Sequence, residues 1–329
     1  MSKIKIVCAS DLHKAITMAE AIEAMREVYS LHDASLIELL DRVILNRKEE
    51  GAYALLMPSY VEKMGALSVK ISTITPRNAN IGLPLIDAVV VFVNPTTGQI
   101  EMLIDGKSLT AMRTGAMCGL ATSLLSPVNA RSMAIIGAGV QSRTIIKAIC
   151  EVRNIEYIKI FSRTKDLSIK LKNDIENLYN LIKVDVVDNA NNAVADVDII
   201  NTCTSNNSTT PVFSNCLLKN GVHINAIGGA SINAVEIPIE LYKNSISIVE
   251  DVASAKKESG EIQSALCRNY IKEDNLIGIG AIINKRIFID KNRGISIFRS
   301  VGMAIQDTAI AAKIYEKSHG QAFKPINLS

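Results

Sequence analysis

Hydrophobic positions in this 329-residue chain fall into three stretches with different spacing. Residues 4–8 alternate like a strand, and Ile16, Ala19, Ile22, Met25 and Val28 recur at helical spacing, which predicts an amphipathic helix over 15–29. Strand-like runs follow at 41–45, 52–57, 66–72, 88–93 and 100–104. Turn signals separate them: Glu50-Gly51, Pro58-Ser59, Gly82-Leu-Pro84 and Asn94-Pro-Thr-Thr-Gly98. The connections are too short for crossover helices, so an antiparallel sheet is expected. A small-residue helix over 110–125 stops before Pro127. From 131 the rhythm becomes strand–helix alternation, with strands at 132–136, 157–161, 183–187, 197–201, 223–227 and 245–249 and helices at 142–151, 167–179 and 190–195. That alternation predicts a doubly wound parallel sheet. A last helix over 302–317 is expected to fold back on the N-terminal part. The expected fold class is α/β: a Rossmann-type domain over 121–301, and a second, α+β domain with a largely antiparallel sheet over 1–120, completed by 302–329.

Composition narrows the functional classes. With 48% hydrophobic and 21% charged residues, the chain reads as an ordinary globular protein. Aromatic residues make up only 4% and Trp is absent, which argues against base- or sugar-stacking surfaces. The net charge is +3 and the basic residues are scattered, so no nucleic-acid partner is expected. Apolar runs such as 88–93 fall far short of a membrane span, and residues 1–8 are too short and interrupted for a signal peptide; a cytoplasmic protein without a membrane partner is expected. Cysteines 8, 118, 150, 203, 216 and 267 form no C-x-x-C pair and are expected to be free thiols. His13, His32 and His319 show no metal spacing, His223 opens a strand in a structural setting, and no metal site is expected.

Candidate chemistry begins at Met133-Ala-Ile-Ile-Gly-Ala-Gly-Val-Gln-Ser142. An apolar strand ends in Gly137-Ala138-Gly139, and Val140 and Gln141 lead into a helix. Backbone N–H groups at such a turn, aided by the helix dipole, suit a pyrophosphate, although Ser142 replaces the usual third glycine. At the end of the second strand of this block stands Ser162-Arg163-Thr164, where NAD-selective sheets usually carry a carboxylate. A guanidinium and two hydroxyls suit a 2′-phosphate, so NADP(H) is expected over NAD(H). Thr202 and Thr204, and Ile227 and Gly228, follow two other strands at the ends where such sheets line their ligand crevice.

Three cations stand in apolar surroundings: Arg42, Lys70 between Val69 and Ile71, and Arg113 in Leu109-Thr-Ala-Met-Arg-Thr114. A buried charge needs a partner. One such residue alone reads as paired with a carboxylate or reaching solvent; three together suggest an anion site.

Several longer motifs, in order, carry a family resemblance: Leu56-Met57-Pro58, Gly82-Leu-Pro84, Leu109–Thr114, Ala134–Gln141, Gly221–Gly228, Gly260–Gln263 and Phe298–Asp307. Over nearly its whole length the chain resembles the ornithine cyclodeaminase/mu-crystallin family, which also holds ketimine and Δ1-pyrroline-2-carboxylate reductases and an archaeal type of alanine dehydrogenase. The resemblance implies that Arg42, Lys70 and Arg113 bind a substrate carboxylate, with Lys70 and Arg113 at the chemistry. It implies that Gly137 to Gln141 hold the pyrophosphate, and that Arg113, Thr114, Ser300, Val301 and Gly302 lie at the cofactor. It further implies a homodimer formed through the second domain's sheet. Two departures bear on activity. Cyclodeaminases of the family carry an Asp where this chain has Ala230 and a Glu where it has Leu55; a second substrate ammonium would then lack an anionic partner. The expected function is therefore NAD(P)H-dependent reduction of a small imino acid, cyclic or open-chain as in an alanine dehydrogenase. The alternatives are an ornithine or lysine cyclodeaminase, or a non-catalytic NADP-dependent binding protein like mu-crystallin.

Overall fold

A computed structural model describes residues 3–48, 51–214, 218–229, 232–292, 294–318, 320 and 323–327. In chain order the first elements are β1 (Lys3–Val7), α1 (Ala9–Ala15), α2 (Met18–Asp33), β2 (Glu38–Leu39), β3 (Val43–Arg47), β4 (Ala52–Val61), β5 (Ala66–Ile74), β6 (Ile86–Val93), β7 (Ile100–Asp105) and α3 (Gly106–Leu125). Next come β8 (Ser132–Ile136), α4 (Val140–Val152), β9 (Tyr157–Phe161), α5 (Lys165–Leu178), β10 (Lys183–Val186), α6 (Ala190–Val194), β11 (Ile199–Thr202) and β12 (His223–Ala226). The last are β13 (Ser245–Val249), α7 (Val252–Glu258), α8 (Gly260–Cys267), β14 (Leu276–Gly278), α9 (Ile279–Ile283), β15 (Ile295–Arg299), α10 (Ala304–Lys317) and β16 (Lys324–Asn327). The chain divides into two compact units, Met1–Arg113 with Met303–Ser329, and Thr114–Gly302.

In the first unit the strands are ordered β16-β1-β7-β6-β5-β4-β2, with β3 also on β4. Pairing is antiparallel except between β1 and β7, which run parallel. Alternation along the strands gives the sheet two distinct faces. Met57, Lys70, Val90 and Ile104 stand in one cross-strand row, and Ser59, Ser68, Phe92 and Met102 in the next; all are buried. α10 packs against β4, β5 and β6, and α2 packs against α10. The intervening rows, Leu56-Ile71-Val89 and Pro58-Val69-Val91-Leu103, point to the opposite face and are less buried.

The second unit carries the sheet β10-β9-β8-β11-β12-β15-β13-β14, parallel throughout. Met133 and Ile135 of β8 pack with Ile145 and Ile149 of α4, while Ala134 and Ile136 belong to a separate cluster with Ala193 and Val194 of α6. A sheet covered on both faces explains why its strands read as near-continuous apolar runs. The expected α/β class, with a parallel sheet and a second, mostly antiparallel one, is observed.

Two expectations need correction. The helix expected over 15–29 is α2, which starts only at Met18 and runs on to Asp33; Ala15 ends a separate helix, α1, and the break falls at Ile16-Thr17. Thr17 accepts the Glu20 N–H and Glu20 accepts the Thr17 N–H, a capping box that starts α2 afresh. Pro58 does not end its strand, because β4 runs on to Val61. It lies between the stretch paired with β3, which ends at Leu56, and the stretch paired with β2, which begins at Ser59. A missing N–H is tolerated in such a gap.

Candidate active site

The first unit brings Lys70, Arg113 and Arg42 together. Lys70 projects from β5 onto the buried face and Arg113 from α3; they are 4% and 9% exposed. The carboxylate between them belongs to Asp307, in the first turn of α10. Lys70 Nζ lies 2.7 Å from Asp307 Oδ2, and Arg113 Nε lies 3.6 Å from Asp307 Oδ1. Thr110 Oγ1 accepts from Lys70 Nζ at 3.5 Å. Arg113 Nη1 donates to Gln306 Oε1 at 2.8 Å, and Gln306 Nε2 donates to the Tyr29 hydroxyl at 2.8 Å. Arg42 is half-buried just before β3 and is close enough to act on the Lys70 charge.

Burial pushes the Lys70 ammonium down to about 8; Asp307 works against that fall, while Arg113 and Arg42 add to it. Among the described residues, Arg113 Nε and both Asp307 oxygens are buried without an aligned hydrogen bond. Buried polar groups are seldom left so, and their unused capacity marks a place where a ligand's polar atoms fit.

The second unit holds a cleft of about 490 Å³ at the carboxyl ends of β8, β9 and β11. Gly137, Ala138 and Gly139 line it, as do Ser162, Arg163, Thr164 and Thr204. Gly137 has φ +106°, and a Cβ there would come within 2.8 Å of the Cys203 carbonyl. A Cβ on Gly139 would meet nothing within 4 Å, so its bare face opens on free space at the N-terminus of α4. Among the described residues no side chain caps that helix, which suits its first N–H groups to an anion. Ser142 is accommodated because it is fully buried and its hydroxyl donates to the Gly139 carbonyl at 2.6 Å. These features fit a dinucleotide pyrophosphate. Arg163 is exposed and has no ion-pair partner among the described residues.

The other cofactor candidates stand outside this cleft's lining. Val140 is 71% exposed, whereas Gln141 Oε1 and the Thr202 hydroxyl are buried without an aligned hydrogen bond among the described residues, the Thr202 hydroxyl lying near enough to Glu236 to favour its charged form. Thr114 is buried in α3, and Ile227 is half-buried beyond β12. Gly228 N donates to Glu236 Oε2 at 2.7 Å, and the Thr204 N–H donates to Glu236 Oε1 at 2.8 Å. The Ser300 hydroxyl donates to Glu250 Oε1 at 2.7 Å; the N–H groups of Val301 and Gly302 donate to Glu250 Oε2 at 2.9 and 2.8 Å. Those three donors are thus used within the protein. Burial raises the Glu236 carboxyl above its ordinary range, with Thr204 and Arg299 opposing.

Arg299, fully buried behind these loops, donates to the carbonyls of Ala226, Gly228, Gly229 and Ser300 and to Ser259 Oγ, and faces Glu261 at 3.0 Å. Asp307, Gln306, Tyr29, Thr110, Glu236, Glu250, Glu261 and Arg299 were not among the site residues expected from sequence. For Asp307 a signal existed: it is the one charged residue in Met303–Ala312, a stretch otherwise apolar but for Gln306 and Thr308. His223 is fully buried between Ser296 and Asn225, and burial pushes it down to about 3, so it is a neutral structural residue. The described cysteines are free thiols, and no group of metal-binding side chains occurs among the described residues. Ala230, Cys216 and His319 lie outside the described residues. No described helix is long and apolar enough to cross a membrane.

Comparison with known proteins matches the same two-unit chain throughout. A Δ1-pyrroline-2-carboxylate reductase of Bacillus cereus is 33% identical over 316 residues, covering 95% of this chain and 96% of the relative. The ketimine reductase mu-crystallin of Rattus norvegicus is 27% identical, covering 86% of each. Among solved structures, the Δ1-pyrroline-2-carboxylate reductase of Thermococcus litoralis, in complex with NADH and L-proline, superposes with a TM-score of 0.91 at 32% identity, covering 99% of this chain and 100% of that one. The model of one family matches residues 3–322, and the chain belongs to it: the ornithine cyclodeaminase/mu-crystallin family.

Proposed function

We propose that this protein is a reductase that adds hydrogen across a carbon–nitrogen double bond next to a carboxylate, acting on a small cyclic imino acid such as a pyrroline- or piperideine-2-carboxylate. The observation that carries the reading is the Lys70–Arg113–Asp307 cluster, two cations around one carboxylate, buried with hydrogen-bonding capacity unused. Its excess positive charge suits a single substrate carboxylate, and the Arg113 guanidinium can fix that group's plane. Arg42 would complete the clamp from the solvent side. A bound reduced nicotinamide dinucleotide would supply the hydride. Gly137 to Gln141 would hold its pyrophosphate and Thr204 its far side, while Thr202, Ile227, Gly228, Ser300 to Gly302, Arg113 and Thr114 would shape the rest of its site. The relatives named above support the same chemistry.

The finer choices rest on single features. The unpaired Arg163 guanidinium between Ser162 and Thr164 favours a 2′-phosphate, hence NADP(H) over NAD(H). Leu55, two residues from Met57 on the Lys70 face of the sheet, is apolar where cyclisation of a diamino acid would need a carboxylate, which disfavours the cyclodeaminase reading. The apolar rows on the sheet's other face, Val69-Val91-Leu103 among them, favour a homodimer through that face.

The test is a cofactor-oxidation screen with purified protein over cyclic imino acids, pyruvate with ammonia, and ornithine, each with NADH and NADPH. The reading expects cofactor oxidation with a cyclic imino acid. Ammonia release from ornithine without net cofactor turnover would replace it with the cyclodeaminase, and ligand binding without turnover would make the protein a carrier.

A further inference from the structure

We propose that Asp307 is a positioning residue that keeps Lys70 charged and in place as the proton donor to the substrate nitrogen. The inference rests on the reading of the function above and deepens it. Among the described residues Lys70 has one carboxylate in contact, Asp307 Oδ2 at 2.7 Å, and both side chains are almost wholly buried, at 5% and 1% exposure. The other charged groups facing Lys70 repel it: Arg113 from α3 and Arg42 from the segment before β3. Its cross-strand neighbours, Met57 of β4 and Val90 of β6, carry no charge, and Thr110 of α3 offers only a long hydroxyl contact. Burial and two like charges both favour a neutral amine. Asp307 opposes them, and the balance leaves Lys70 at about 8, poised to give up a proton close to neutrality.

The geometry also explains why the carboxylate comes from α10. Gln306 and Asp307 are adjacent in its first turn: Gln306 receives Arg113 Nη1, and Asp307 faces Lys70 Nζ at 2.7 Å and Arg113 Nε at 3.6 Å. Gln306 is itself held by the Tyr29 hydroxyl of α2. One rigid helix end therefore sets the spacing between the two cations. A bound reduced nicotinamide would supply the imine carbon with hydride, a proton's worth of hydrogen with two electrons. The nitrogen takes a proton from the Lys70 ammonium, and Lys70, left as a neutral amine, regains its proton from solvent.

The test measures the affinity of pyrrole-2-carboxylate, a planar carboxylate that the enzyme cannot reduce, for the protein loaded with oxidised dinucleotide, over about pH 6 to 10. Wild type is expected to lose affinity with a midpoint at about 8, as Lys70 loses its charge. Asp307→Asn is expected to move that midpoint down by about one pH unit or more, and Asp307→Glu to restore it. The high-pH limb of kcat for imine reduction should move with it. A midpoint that stays put in Asp307→Asn overturns the inference, as does a simple loss of kcat at every pH with the limb unmoved. Should Asp307→Asn fail to fold, Lys70→Arg decides: its affinity should be flat across this range, and a midpoint persisting at about 8 would show that another group titrates. If the wild type reduces no cyclic imino acid, the functional reading falls; if it does and the midpoint does not move, this inference alone falls.

Discussion

Two buried charge clusters, one in each unit, each set cations against carboxylates and are finished differently. In the second unit Arg299 spends its donors on four loop carbonyls and a serine, and Glu261, paired with it, accepts from the backbone of Ile237 as well. In the first, Arg113 Nε and both Asp307 oxygens are left without aligned partners among the described residues. Burial sharpens the contrast. It works against the Arg299 charge, yet Glu261, Glu236 and Glu250 raise its pKa above the usual value, whereas Lys70 is driven down despite Asp307. A saturated cluster fixes backbone; an unsaturated one holds charge ready for something not in the chain.

The comparison breaks first at Arg299. Arg299→Met leaves Glu261 charged, buried and unpaired and frees the loop after β12, so a loss of about 3–5 kcal/mol is expected. Chemical denaturation measures it, and a loss below about 1 kcal/mol would mean the network is not structural. Arg113→Ala should do the reverse. Stability should change little, because Asp307 keeps Lys70, while kcat/KM for imino-acid reduction falls on the order of a hundredfold through loss of a desolvated ion pair. Equal kinetics in the variant would remove Arg113 from the clamp. The smallest effect is expected at the exposed Arg163. Arg163→Asp should shift preference from NADPH toward NADH by about tenfold, with kcat nearly unchanged; an unchanged preference would remove the 2′-phosphate contact.

The two clusters also differ in how far the sequence discloses them. Gly137-Ala138-Gly139 is legible because a strand, a turn and a helix start lie within one short stretch, and each needs particular residues. Lys70 and Arg113 are legible as charges among apolar neighbours. Their pairing with Asp307 is not, since that residue, itself marked as a charge in an apolar stretch, arrives from the far end of the chain on α10, and only folding sets it between them. Arg299 and Glu261 are hard to read from sequence for a related reason. Each lies within a recognisable family motif, but neither sequence segment reveals that it packs against the other. The break between α1 and α2 was hidden because Ile16 suits the helical pattern of the residues that follow, while the capping box of Thr17 and Glu20 depends on two side chains whose spacing periodicity does not weigh. Pro58 misled because strand pairing on both sides of β4 decides whether its missing N–H matters.

Binding of L-proline to the protein loaded with oxidised dinucleotide, wild type beside Arg113→Ala, tests the unsaturated cluster as a carboxylate site most directly. The account predicts saturable binding to the wild type, lost or weakened by about a hundredfold in the variant, with the two unliganded proteins melting at similar temperatures. Equal binding by both proteins would contradict it, because the unmet groups around Asp307 would then have no part in holding the substrate.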